Sequence, residues 1–110
     1  MRGLNLIGSL GRISVEDVLA GGKVFVSRQG EGPFVLEVTA DQHARGTAWI
    51  ESLTLPVVHT DDGTRINLGT SAEPAIDVIV LALRELEGSP TRTLVARNAP
   101  GPAEPWPERG

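Results

Sequence analysis

A chain of 110 residues with no cysteine has the size of one small domain and cannot use disulfides, zinc ribbons, iron–sulfur clusters or a thiol nucleophile. Its net charge of −4 and pI near 5.1 argue against a binder of phosphate backbones, and 4% aromatic residues leave few platforms for stacking bases, so no nucleic-acid partner is expected. An apolar fraction of 40% with 22% charged residues is that of a globular chain, not a disordered one.

Arg2 is followed by LNLIGSLG, a stretch too short and too interrupted by glycine for a signal peptide, and no run approaches the roughly 20 apolar residues that cross a bilayer. The expectation is cytoplasmic residence without a membrane partner. Lys23 is the only lysine against nine scattered arginines, an imbalance typical of GC-rich bacterial coding.

In chain order, Leu4 to Leu10 alternates weakly and reads as a short edge strand or an ordered arm. Ser14, with Asp17 three residues on, predicts a capped short helix over VEDVLA, stopped by Gly21-Gly22. Lys23–Arg28 and the run from Pro33 to Ala40 alternate with period two around QGEG, which predicts an antiparallel hairpin. Phe34, Leu36, Val38 and Ala40 share one face of its second strand, and Glu37 and Thr39 share the wet one. Residues 41 to 53 can be a helix capped by Asp41, or a loop leading into a strand. Gly46, Thr47 and the apolar content favour the strand, with Trp49, Leu53, Leu55 and Val57 on one face.

Pro56 bends or edges that run. VVHT, DDG and TRINLG predict a second hairpin, with Gly63 supplying a positive φ. AEPAIDVIVLALRELE, residues 72 to 87, predicts the organising helix: Thr70 or Ser71 caps it, Glu73 completes a capping box with Thr70, Gly88 closes it and Pro90 forbids continuation. RTLVAR (92–97) predicts a last edge strand. From Asn98 the composition turns to proline, glycine and charge around Trp106, which predicts an extended tail.

The predicted architecture is therefore α+β: a curved antiparallel meander of five to six strands packed on one long C-terminal helix, with a short N-terminal helix. A domain over 1–97 carries a proline-rich tail over 98–110. The order of elements resembles the layout of small bacterial immunity-type proteins, with no motif that carries a function over.

Around the long helix the apolar arc spans roughly 200°, wider than one sheet face covers, with Val78 at its edge and Leu81 beyond it. Either the sheet curls around the helix, or a second copy or partner covers the excess. Each of these two side chains forgoes about 1.5 to 3 kcal/mol if left in water. Val78, Leu81 and, in the PxxP segment of the tail, Trp106 are thus the candidate partner-binding residues.

His43 lies near Asp41, and His59 near Asp61 and Asp62. Imidazole with carboxylate suits several divalent ions, but HTDDG is explained by a hairpin turn, so no metal or other cofactor is expected. DDGTRIN lacks the ligand spacing of a calcium loop, GSLG is not a nucleophile elbow, and GGK leads into a strand rather than a helix. Glu37 and Glu51 on neighbouring strands could face each other as an acid/base pair, but solvent-facing glutamates explain both.

Two functions follow. The first is a small non-catalytic binding or regulatory protein acting through a protein partner or by self-association, including as a homodimer. The second is a small-molecule-binding domain or small enzyme with a sheet–helix pocket using His43 or His59 beside Trp49.

Overall fold

The computed structural model describes residues 11–28 and 30–99. Six strands form one wholly antiparallel sheet: β1 (Gly11–Asp17), β2 (Lys23–Arg28), β3 (Phe34–Thr39), β4 (Val57–Thr60), β5 (Gly63–Gly69) and β6 (Leu94–Asn98). Their spatial order is β4-β5-β3-β2-β1-β6, so the sheet is not the simple meander expected. β1 to β3 follow one another, then the chain leaves the sheet and re-enters at the far side of β3 with the β4–β5 hairpin. It finally crosses to the opposite edge to lay β6 on β1.

Three helices, α1 (Ala40–Arg45), α2 (Thr47–Ser52) and α3 (Ala72–Glu87), complete the described residues. The segments 1–10 and 100–110 lie outside them, and with them the expected arm at Leu4 to Leu10, the PxxP segment and Trp106. Among the described residues no helix is long and apolar enough to cross a membrane.

The short helix expected over 15–20 is absent. GRISVED is instead a central strand, because Ile13 and Val15 alternate inward and β1 pairs with both β2 and β6. Ser14 caps nothing; its hydroxyl donates to Glu16 at 3.3 Å. Asp17, fully buried, accepts from the backbone N–H of Leu19 and Ala20 with Oδ1, both at 3.1 Å, and so shapes the turn.

The strand expected over 47–57 is also corrected: residues 40–52 form α1 and α2. The reason is a local signal in T-A-D-Q. The Thr39 hydroxyl accepts the Gln42 N–H at 3.2 Å and the Gln42 side-chain oxygen accepts the Thr39 N–H at 3.0 Å, a reciprocal capping box that starts a helix as soon as β3 ends. Gln42 is buried, and its side-chain nitrogen donates to the carbonyl of Lys23 at 2.9 Å and to Glu87. One residue thereby ties α1 to β2 and to the end of α3.

In α3, Ala75, Ile76, Ile79, Ala82, Leu83 and Leu86 are buried, and the four larger ones each contribute about 1.5 to 3 kcal/mol of burial. Their counterparts on the sheet are Val15, Val24, Val26, Phe34, Leu36 and Ile66, all fully buried. The Thr70–Glu73 capping box does not form. Ser71 is the N-cap without a side-chain bond, which puts Glu73 one position too early to reciprocate. At the other end Gly88 takes φ +69°, and the N–H groups of Gly88 and Ser89 reach the carbonyls of Arg84 and Leu83, both at 3.1 Å.

The wide apolar arc of α3 is covered in part by the α1–α2 pair beside it, in the segment whose sequence leaves helix and strand both open and favours strand. Gly46, between those helices, lies so close to Leu86 that an added Cβ would stand 2.3 Å from its Cδ2. Ile50 is buried in the same core, and Trp49, Leu53 and Leu55 pack against it. β6 begins at Leu94 rather than Arg92 and includes Asn98, and the Ala99 N–H donates to Arg12 at 2.9 Å, so the ordered sheet runs past the expected start of the tail.

Candidate functional site

Cross-strand register with alternation assigns each strand residue to a face. Ile13, Val24, Val26, Leu36, Ile66 and Leu94 point toward the helices. The opposite face carries the row Val58, Arg65, Glu37, Phe25, Ser14, Arg97 across β4, β5, β3, β2, β1 and β6. Beside it run Lys23 and Glu16 on one side, and Asn67, Val35, Ser27 and Arg12 on the other. No described helix covers this face, although Ser14, Ser27 and Val35 are buried within it.

Glu37 is the hub. Its carboxylate takes Arg12 Nη2 at 3.0 Å and the Ser27 hydroxyl, and it stands directly across the ladder from Arg65. The Arg12 guanidinium carbon lies 4.9 Å from the centre of the Phe25 ring and Lys23 Nζ lies 5.1 Å from it, so one ring gathers two cations. Farther along, Arg97 approaches Glu16 at 3.9 Å. The side chains of Arg12 and Glu37 are each about three-tenths exposed or less, which makes their bridge stiffer than a fully solvated pair.

The same side chains wall a concavity of about 400 Å³, lined among others by Arg12, Phe25, Glu37, Thr39, Asp62 and Arg65. Its shape depends on Gly63. The φ of +156° there suits glycine, and a Cβ would stand 2.0 Å from the carbonyl oxygen of Val38, so β3 and β5 can approach only over a residue with no side chain.

The residues singled out from the sequence lie elsewhere. Val78 is half-buried and packs on the core, Leu81 is 40% exposed, and Trp106 is outside the described residues. His43 and His59 do come together, ring centroids 5.8 Å apart and edge to face, between the last turn of α1 and strand β4; His59 Nδ1 also lies 3.3 Å from the Thr64 hydroxyl. Neither imidazole lines the concavity, nor does Trp49. Among the described residues no three His, Asp or Glu side chains converge as metal ligands would. Glu37 is held by Arg12 and Ser27, while Glu51 lies on α2, so the two do not form a facing pair across strands.

The signal for the open face was present in the wet side of the second strand, where Glu37 falls, but which cations join it depends on strand order. Arg12, Lys23, Arg65 and Arg97 come from four different strands.

No family model matches the chain, and neither the curated proteins nor the solved structures include a match to it.

Proposed function

We propose that the chain is a non-catalytic binding protein that acts through protein–protein contacts, and that the open face of its sheet is the contact surface. The observation that carries this reading is the concave, cross-braced arrangement on that face. Arg12 held by Glu37, the Phe25 ring between Arg12 and Lys23, and threonines lining the concavity form a surface that is partly braced before docking, so that less rotamer entropy is lost on binding. Arginine and aromatic side chains are also those that dominate binding energy at interfaces.

Photo-crosslinking in the native host tests the proposal. A photoreactive residue at Lys23 or Thr60 should yield a covalent adduct with one protein, and that protein should bind the purified chain with an affinity that falls at least about tenfold on Arg65→Glu. Adducts from Leu81 but not from Lys23 or Thr60 would place the contact on α3 instead.

A second reading rests on the His43–His59 pair, which could serve as the polar part of a small-molecule site at the α1–β4 edge. It has less support, because the concavity described above lies on the other side of the sheet.

A further inference from the structure

Among the described residues the sheet ends in two open edges, β4 on one side and β6 on the other. In an antiparallel ladder alternate residues turn their backbone groups toward the neighbouring strand, and the residues between them turn theirs away. The Val18 N–H donates to the Thr93 carbonyl at 3.3 Å and the Ala99 N–H to that of Arg12 at 2.9 Å. With Ile13 opposite Asn98, this fixes the phase of β6: Val95 and Arg97 face β1, while Leu94, Ala96 and Asn98 present their N–H and C=O groups outward.

The β4 edge offers less. The Asn67 N–H donates to Pro56 at 2.9 Å, so in this four-residue strand only Val57 and His59 face outward, and the His59 ring is already engaged with His43 and Thr64. β6 has no proline, no lysine and no register shift against β1, the usual means of blunting an edge.

We propose that the chain forms a two-fold homodimer in which β6 pairs antiparallel with β6 of a second copy, Ala96 opposite Ala96. The proposal does not depend on the open-face reading. In this register Leu94 stands opposite Asn98, and every outward N–H and C=O of the three residues in each copy meets a partner. A shift of one residue opposes outward groups to inward ones. A shift of two leaves Leu94 or Asn98 facing chain beyond the strand.

The side chains suit the same symmetry. On the helix side the two small Ala96 side chains meet without a clash. On the open face Arg97 falls opposite Val95, so no like charges stand directly across the junction. The two Arg97 are diagonal neighbours at roughly 7 to 8 Å, and two carboxylates balance them. Each Arg97 has its own Glu16 at 3.9 Å, and Glu16 of the other copy, beside Val95, lies two strand spacings or about 9.6 Å away, a span the two long side chains cover. The two six-stranded sheets become one, with both open faces on the same side.

Sedimentation equilibrium of the full chain from about 10 μM to 1 mM, with amide hydrogen exchange at both ends of that range, tests the proposal. The dimer fraction should rise with concentration. Exchange at Leu94, Ala96 and Asn98 should slow at least roughly threefold, while Val95 and Arg97, bonded within the sheet, stay unchanged. Ala96→Pro removes an N–H that the β1 ladder does not use and should weaken the dimer at least about tenfold. Asn98→Pro, at the exposed end of the strand, gives the same readout should Ala96→Pro cost folding. A monomer at the highest concentration, a dimer that a folded proline variant leaves intact, or one that Leu81→Lys dissociates through α3 would overturn the proposal. Crosslinks from Lys23 or Thr60 to a different protein are unaffected by any of these results, so the open-face reading stands or falls separately.

Discussion

Gln42 offers the sharpest check on how the chain is held together, since one side chain joins three elements. Replacing it by alanine leaves the Gln42 backbone N–H bonded to Thr39 but removes three other bonds: the acceptor for the Thr39 N–H, the donor to the Lys23 carbonyl and the donor to Glu87. Two of these join neutral groups, at about 0.5 to 1.5 kcal/mol each net, and the third reaches a carboxylate, at about 1.5 to 3 kcal/mol. Glu87 keeps a contact with Arg45 at 3.7 Å and some access to water, which moderates the third contribution. The expected loss is about 2 to 4 kcal/mol, or a fall in Tm of roughly 10 to 20 °C for a domain of this size. Urea unfolding followed by circular dichroism measures it, with an unchanged m-value showing that the native and denatured states are otherwise the same. Gln42→Glu should do no better than alanine at neutral pH, because a carboxylate cannot donate to Lys23 and would face Glu87. A Gln42→Ala chain within 1 kcal/mol of the parent, estimated against the usual ~1 kcal/mol net bond, would refute the view that this residue fastens α1 to the body.

Gly63→Ala should cost at least about 2 kcal/mol and open the concavity, because the new Cβ meets the Val38 carbonyl backbone; thermal melts and the Thr39 and Thr64 amide shifts report it. Asp17→Ala removes the acceptor for two turn amides, so hydrogen exchange at Leu19 and Ala20 should speed up and stability should fall by about 1 to 2 kcal/mol. Leu81→Lys should change stability by less than about 1 kcal/mol, whereas Leu83→Ala or Leu86→Ala should cost about 2 to 5 kcal/mol; equal costs would contradict the burial that separates these three positions. Sedimentation velocity on Leu81→Lys tests the helix as a self-association surface, which requires a shift from dimer to monomer.

Several elements were legible because they depend on neighbours in sequence. The alternation of KVFVSR and TRINLG, the turn at Gly63 and the stop at Gly88 are local, and strands and helix form over those ranges. Where two local signals competed, the outcome was decided by contacts at long range. GRISVED has a helix-start pattern in Ser14 and Asp17, but a place between β2 and β6 gives its backbone two ladders of hydrogen bonds. Residues 47–52 have strand-forming content, but burial of Ile50 in the core, the close approach of Gly46 to Leu86 and the anchor at Gln42 select helix.

The site shows the same division. Residue types, net charge and the absence of cysteine are properties of the chain taken one residue at a time, and they settle which chemistries its side chains can supply. That Glu37 meets Arg12 from one strand and Arg65 from another, or that His43 meets His59, follows from the order β4-β5-β3-β2-β1-β6, which no local pattern encodes. Strand order is chosen by the joint burial of all the apolar faces against α3. That is a sum over pairs distant in sequence, and the face with Glu37 at its centre is what this choice leaves turned away from α3.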